Sequence, residues 1–109
     1  MKLWIDDVRP APEGYVWCKS VNEAKNFIRA RQFYIRVGAP TVPCDYSIEL
    51  VDLDHDAGDY ASDGGDYIKL LDWLEETGSN YPIRIHSANP VGVQNMRRII
   101  QRNNWKEVF

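Results

Sequence analysis

Short apolar runs that stop abruptly on polar residues alternate with segments of helical periodicity along this chain. Leu3-Trp4-Ile5 is β-prone and ends on Asp6-Asp7, which reads as a buried strand with paired carboxylates at its C-terminal tip. Prolines and a glycine make residues 8–14 a loop, and Tyr15-Val16-Trp17-Cys18 is a short extended segment. Ser20-Val21-Asn22-Glu23 is a capping-box pattern. Val21, Ala24, Phe27 and Ile28 then recur at helical spacing, predicting a helix over 21–31 with one buried face. Residues 32–47, with Gly38, Pro40 and Pro43, are the least decipherable: 33–37 fits a strand or a helical continuation, and 38–46 a loop.

Residues 48–53 form the next predicted strand, which runs into the densest group of charges in the chain: Asp52, Asp54, His55, Asp56 and Asp59. Like charges crowded this closely repel unless a cation, a proton or phosphate chemistry compensates. Gly58 to Gly65 is a polar loop to which Asp59 belongs, and Asp63 and Asp66 read as helix-start residues rather than ligands. Tyr67, Leu70, Leu71 and Leu74 predict a helix over 66–77, closed by Gly78. Residues 83–87 are a third apolar strand ending on His86-Ser87. Asn89-Pro90 is a helix start, and Val93, Met96, Ile99 and Ile100 are the buried stripe of a helix over 90–103. Residues 105–108 suit a last edge strand.

This alternation predicts a small three-layer α/β domain over residues 1–109, with a parallel sheet and helices on both faces. Right-handed crossovers place all strand C-termini along one edge, where ligands bind in open sheets. Asp6-Asp7, Asp52 to Asp56 and His86-Ser87 thereby become neighbours.

Composition narrows the partners. A chain of 109 residues buries roughly 65% of its unfolded surface in one core. A net charge of −3 exerts no general pull on duplex DNA or an anionic membrane, so an anionic ligand needs local donors. Cys18 and Cys44 match no zinc spacing and are expected to be reduced thiols of a cytoplasmic protein. The N-terminus turns acidic too early for a signal peptide, and no segment reaches membrane-spanning length.

An Asp-Asp pair after the first strand, an Asp after the third and a hydroxyl residue after the fourth resemble the receiver domain of two-component response regulators. That resemblance implies a flavodoxin/receiver-like fold, here truncated after the fourth or fifth strand. By position, Asp6 and Asp7 would hold a divalent cation, Asp54 (less readily Asp52) would be the phospho-acceptor, and Ser87 the switch hydroxyl. The chain departs from receivers at His55-Asp56, at His86 and at Asn89-Pro90. Only Lys106 is a candidate for the lysine that ends a receiver's fifth strand, with no room for a fifth helix. The motifs at 4–12 (WIDDVRPAP), 53–59 (LDHDAGD) and 86–92 (HSANPVG) instead resemble the cyclic-phosphate processing receiver domain family. The resemblance implies hydrolysis or transfer at a cyclic phosphate on a nucleotide, an RNA end or an ADP-ribose derivative.

Opening a cyclic phosphodiester needs an activated water, a proton donor for the leaving alkoxide and neutralisation of phosphoryl charge. His55 and His86 are the candidate acid and base, in either order, with Asp54 and Asp56 beside His55 favouring its charged form, which suits the acid. Arg9 is either a surface ion pair or an anion clamp. Ser87, Asn89 and the amides opening the 90–103 helix would bind phosphoryl oxygens. A Mg or Mn ion on Asp6, Asp7 and Asp54 is the alternative source of activated water. Trp4 is expected in the core, and Trp17 and Tyr60 are candidate walls of a base-binding groove. Two other readings compete: a non-catalytic receiver that binds metal and phosphoryl groups as a signalling module, and a haloacid-dehalogenase-like phosphatase with Asp52 as nucleophile and Asp54 as acid. The leaving group and the oligomeric state are left open by the sequence.

Overall fold

A computed structural model describes residues 1–36 and 47–109; Cys44 and the whole expected loop over 38–46 lie outside the described residues. Four strands, β1 (Lys2–Ile5), β2 (Tyr15–Cys18), β3 (Leu50–Leu53) and β4 (Ile83–Ile85), pair in parallel in the order β2-β1-β3-β4. Helices α1 (Val21–Arg36), α2 (Ile68–Glu76) and α3 (Pro90–Arg102) follow β2, β3 and β4, and a 3-10 turn over Gly58–Ser62 precedes α2. Ile5 lies beside both Cys18 and Leu53, and Leu53 beside Ile85, so the strands end level. The chain reverses its direction of travel across the sheet between β1 and β3, which puts Asp6 and Asp54 side by side at the switch point.

Strand alternation sends Leu3, Ile5, Cys18, Val51, Leu53 and Ile83 into one buried cluster shared with Ala24 and Ile28 of α1, Leu70 and Leu74 of α2, and Met96 and Ile100 of α3. All three helices therefore cover the same face. The parallel receiver-like α/β sheet is as expected; the detail that differs is the second helical layer, which no helix among the described residues supplies. The cause lies in residues 6–14. A helical crossover takes a dozen or more residues, and Pro10 and Pro12 cannot donate helix hydrogen bonds. A right-handed connection from β1 to β2 passes over the helix-free face, and Trp4 is buried on that face, outside the main cluster.

Local differences have local reasons. The ambiguous residues 33–36 continue α1. The Glu23 amide donates to Ser20 Oγ at 3.0 Å as the capping box requires, while the Glu23 carboxylate accepts from the Lys19 amide instead of Ser20's. Asp63 does not cap α2: its carboxylate accepts from Ser20 Oγ at 2.6 Å and Asn22 Nδ2 at 3.0 Å, pinning the loop to the start of α1. These two bonds hold the Asp63 carboxyl below the usual aspartate range. The expected last strand shrinks to one bridge between Ile83 and Glu107. Asn104, at φ 55°, turns the chain out of α3, and a bidentate Arg97–Glu107 pair fastens the return. Lys106 consequently sits beside the first residue of β4, whose amide its carbonyl accepts, and away from the edge where the strands end. No helix among the described residues is long and apolar enough to cross a membrane.

Candidate functional site

Asp6 follows β1 directly and is fully buried. Its Oδ1 accepts the Val8 and Arg9 amides, each at 3.0 Å, and its Oδ2 lies 2.9 Å from His86 Nε2. The other ring nitrogen of His86 is 2.6 Å from Oδ1 of Asp52, and Asp52 Oδ2 accepts from Arg84 Nη1 at 3.0 Å. The ring stacks on Trp4 with centroids 3.8 Å apart and planes 5° from parallel. Carboxylates are acceptors only, so each ring nitrogen of His86 faces a hydrogen-bond acceptor of the protein. Both ring nitrogens are engaged by protein partners, so His86 is placed to hold these carboxylates together, whichever of the acid and base roles was expected of it. Burial alone would raise the Asp6 carboxyl; the backbone amides of Arg9 and Val8 together with His86 outweigh it and hold Asp6 below the usual range.

Asp52 is likewise fully buried with both oxygens engaged, so it is available neither as phospho-acceptor nor as a haloacid-dehalogenase-type nucleophile. Asp54 is the carboxylate at the tip of β3. Asp6, Asp7 and Asp54 each present an oxygen within 4.8 Å of the others. Burial, with the charges of Asp6 and Asp54, pushes the Asp7 carboxyl above its ordinary range against a backbone hydrogen bond that lowers it. Gly58, at φ 55°, brings the 3-10 turn so close that a Cβ there would collide with Asp7 Oδ2. Three carboxylates form a hard oxygen set that suits Mg2+ or Mn2+, and Asp6 keeps one acceptor position beyond its three hydrogen bonds. The cation already at this tip is Arg9. Its Nε is 3.8 Å from Asp6 Oδ2, its Nη2 3.9 Å from Asp54 Oδ2, and its Nη1 donates to the His86 carbonyl at 3.0 Å.

His55 has a different environment. Its Nδ1 lies 2.9 Å from Asp56 Oδ1, and its amide donates to Asp54 Oδ1 at 2.7 Å. Its carbonyl accepts the amide of Tyr67, a buried residue whose hydroxyl donates to the Lys19 carbonyl. Nε2 makes no hydrogen bond among the described residues. The imidazole lies flat on the first turn of α3: a Cβ on Gly92 would meet Cδ2 at 2.6 Å and Nδ1 at 2.8 Å. Gly92→Ala is therefore expected to expel the ring from this seat and to destabilise the fold by about 1–3 kcal/mol. Urea denaturation and the histidine side-chain NMR signals check this; an unmoved His55 resonance would contradict it.

Asn89 caps α3, accepting the Gly92 amide at 3.0 Å, and its Nδ2 lies 3.4 Å from both Asp56 oxygens. Ser87 Oγ accepts the Asn89 amide at 3.1 Å. The Val93 amide goes to the Asn89 carbonyl and Pro90 has none, so Val91 supplies the one uncommitted amide of this turn among the described residues. The helix start thus offers fewer donors than expected. Trp17 is anchored by an Nε1–H to Asp6 carbonyl bond of 2.7 Å, and Tyr60 is exposed on the 3-10 turn.

Sequence reading missed Arg84, Trp4 as the stacking partner of His86, and Asp66. Asp66 accepts the Ala57 amide and forms a second group of close donors with His55 and Asp56. A signal for Arg84 existed: it is a charge inside an apolar strand, in register with Asp52 on β3.

A parallel α/β sheet whose strand tips gather Asp6, Asp7 and Asp54 defines a receiver-like domain. Within that class, the chain belongs to the family described as the cyclic-phosphate processing receiver domain, which it matches over residues 1–102. Comparison with curated proteins and with solved structures returned no match.

Proposed function

We propose that this protein is a phosphoesterase that opens a cyclic phosphate on a nucleotide, an RNA end or an ADP-ribose derivative. The observation that carries the reading is His55: Asp56 holds Nδ1, Nε2 is uncommitted among the described residues, and the His55 amide is bonded to Asp54 of the acidic tip. Hydrolysis adds one water: its oxygen bonds to phosphorus, one of its protons passes to a carboxylate of the acidic tip and on to solvent, one P–O ester bond breaks, and the leaving alkoxide takes a proton in return. His55 Nε2 is the group assigned to that proton, and Asp56 stabilises the imidazolium and fixes its orientation. Asp54 and Asp7 orient the water. Arg9, Ser87, Asn89 and the Val91 amide bind phosphoryl oxygens. His86 is recast as a positioning residue that holds Asp6. A divalent cation on Asp6, Asp7 and Asp54 would supply further charge neutralisation at the phosphoryl group.

The test is a panel of 2′,3′-cyclic and 1″,2″-cyclic phosphates with and without chelator, monitored for ring opening. Turnover of at least one member is expected. No opening across the panel, with and without added Mg2+ or Mn2+, would end the enzyme reading. The Asp6-Asp7-Asp54 cluster also favours a second reading, a receiver that binds a cation and a phosphoryl group without turnover. That reading expects acetyl phosphate with Mg2+ to label Asp54; an unchanged intact mass counts against it.

A further inference from the structure

We infer that Arg9 stands in for the divalent cation at the acidic tip and is handed over to the phosphoryl group when a cation arrives, so that cation and phosphoryl group bind cooperatively through this one side chain. The inference rests on the reading that Asp6, Asp7 and Asp54 hold a cation.

The guanidinium reaches Oδ2 of both Asp6 and Asp54, two of the three carboxylates whose oxygens cluster there. At 3.8 and 3.9 Å these are charge pairs without hydrogen bonds, made by a side chain that is 50% exposed. They are weak enough to exchange. A 2+ ion among the same carboxylates repels the guanidinium and takes its electrostatic role. The backbone does not need to move. The Arg9 amide is fixed on Asp6 Oδ1 and its carbonyl accepts Trp4 Nε1–H at 2.8 Å, so the side chain alone swings. Its remaining tether, Nη1 to the His86 carbonyl at 3.0 Å, keeps it at the tip of β4, next in sequence to Ser87. A released guanidinium there presents a planar fork suited to two phosphoryl oxygens. Coupling of this kind is reciprocal: phosphate strengthens cation binding by the factor by which the cation strengthens phosphate binding.

Mn2+ titrations of the full chain, by calorimetry and by the electron paramagnetic resonance of free Mn2+, with and without inorganic phosphate, test this in wild type, Arg9→Met and Arg9→Lys. Arg9→Met keeps the backbone anchors and most of the stem while removing the charge. It is expected to bind Mn2+ alone more tightly than wild type, on the order of three- to tenfold, and to lose most of the enhancement by phosphate. Arg9→Lys should keep the competition with Mn2+ but show a smaller phosphate enhancement, because an ammonium lacks the fork. Equal or weaker Mn2+ binding by Arg9→Met, or equal phosphate enhancement in wild type and Arg9→Met, overturns the inference. Absence of Mn2+ binding in every protein overturns it together with the cation reading; these titrations contain no turnover, so the role of His55 is judged separately by the substrate panel.

Discussion

His55→Ala is expected to lower turnover of a cyclic phosphate by a factor of about 10² to 10⁴, the range for loss of a positioned general acid or base. The fold should be kept, at the cost of the ring's packing on Gly92. The structural work of residue 55 is done by its backbone, through the amide bond to Asp54 and the carbonyl bond to Tyr67, and alanine keeps both. The charged partner of the ring among the described residues is Asp56, whose side chain is 60% exposed, so little buried charge is stranded when the ring goes. A variant that folds like wild type and binds the substrate, yet fails to turn it over, separates chemistry from architecture. Asp56→Asn should fall between the two proteins, since an amide oxygen at position 56 still accepts from Nδ1–H but carries no charge to stabilise the imidazolium. Turnover by His55→Ala within threefold of wild type would remove His55 from the reaction.

The two histidines show what the chain discloses and what it does not. Both follow apolar runs, so their arrival at one sheet edge was readable from the strand pattern and crossover rule alone. The same logic brought Asp6, Asp7 and Asp54 together, because it needs only strand ends and not side-chain geometry. What each ring nitrogen faces depends on register. Asp52 reaches His86 and Arg84 only because β3 pairs β4 with Asp52 opposite Arg84. Trp4 reaches His86 across β3, on the face opposite the helices. No spacing in the sequence distinguishes a histidine open to water from one gripped by two carboxylates. That no helix among the described residues supplies a second layer was hidden for a related reason. Residues 8–14 were readable as a loop, but that this loop is the entire β1–β2 crossover follows only once β2 is seen pairing in parallel with β1.

His86→Ala is expected to be the most destabilising of these substitutions, by about 3–5 kcal/mol, the cost of breaking a buried charge pair from one side. Against a typical total of about 5–15 kcal/mol this is a large fraction. The reason is arithmetic of charge. Asp6 and Asp52 are both fully buried, and one ring serves both, so its removal strands two carboxylates, with Arg84 left to Asp52 and the loop amides left to Asp6. The acid dependence should weaken. In wild type the Asp6 carboxyl lies below the ordinary aspartate value of 3.8, so it contributes stability that is present above that value and is lost as pH falls through the folded-state value. His86→Ala removes one of the groups that hold Asp6 there and leaves the Arg9 and Val8 amides, so the acid-side loss should be smaller and the gap between the two proteins should narrow as pH falls from 7 to about 3. Urea denaturation of both proteins at about pH 7 and about pH 3 reads this directly. Adding Asp52→Asn to His86→Ala removes one stranded charge and should recover part of the loss, a non-additivity that a double-mutant cycle measures. An unchanged midpoint for His86→Ala at pH 7 would mean that the Asp52–His86–Asp6 bridge does not hold the tip together, and the positioning role given to His86 would fall with it.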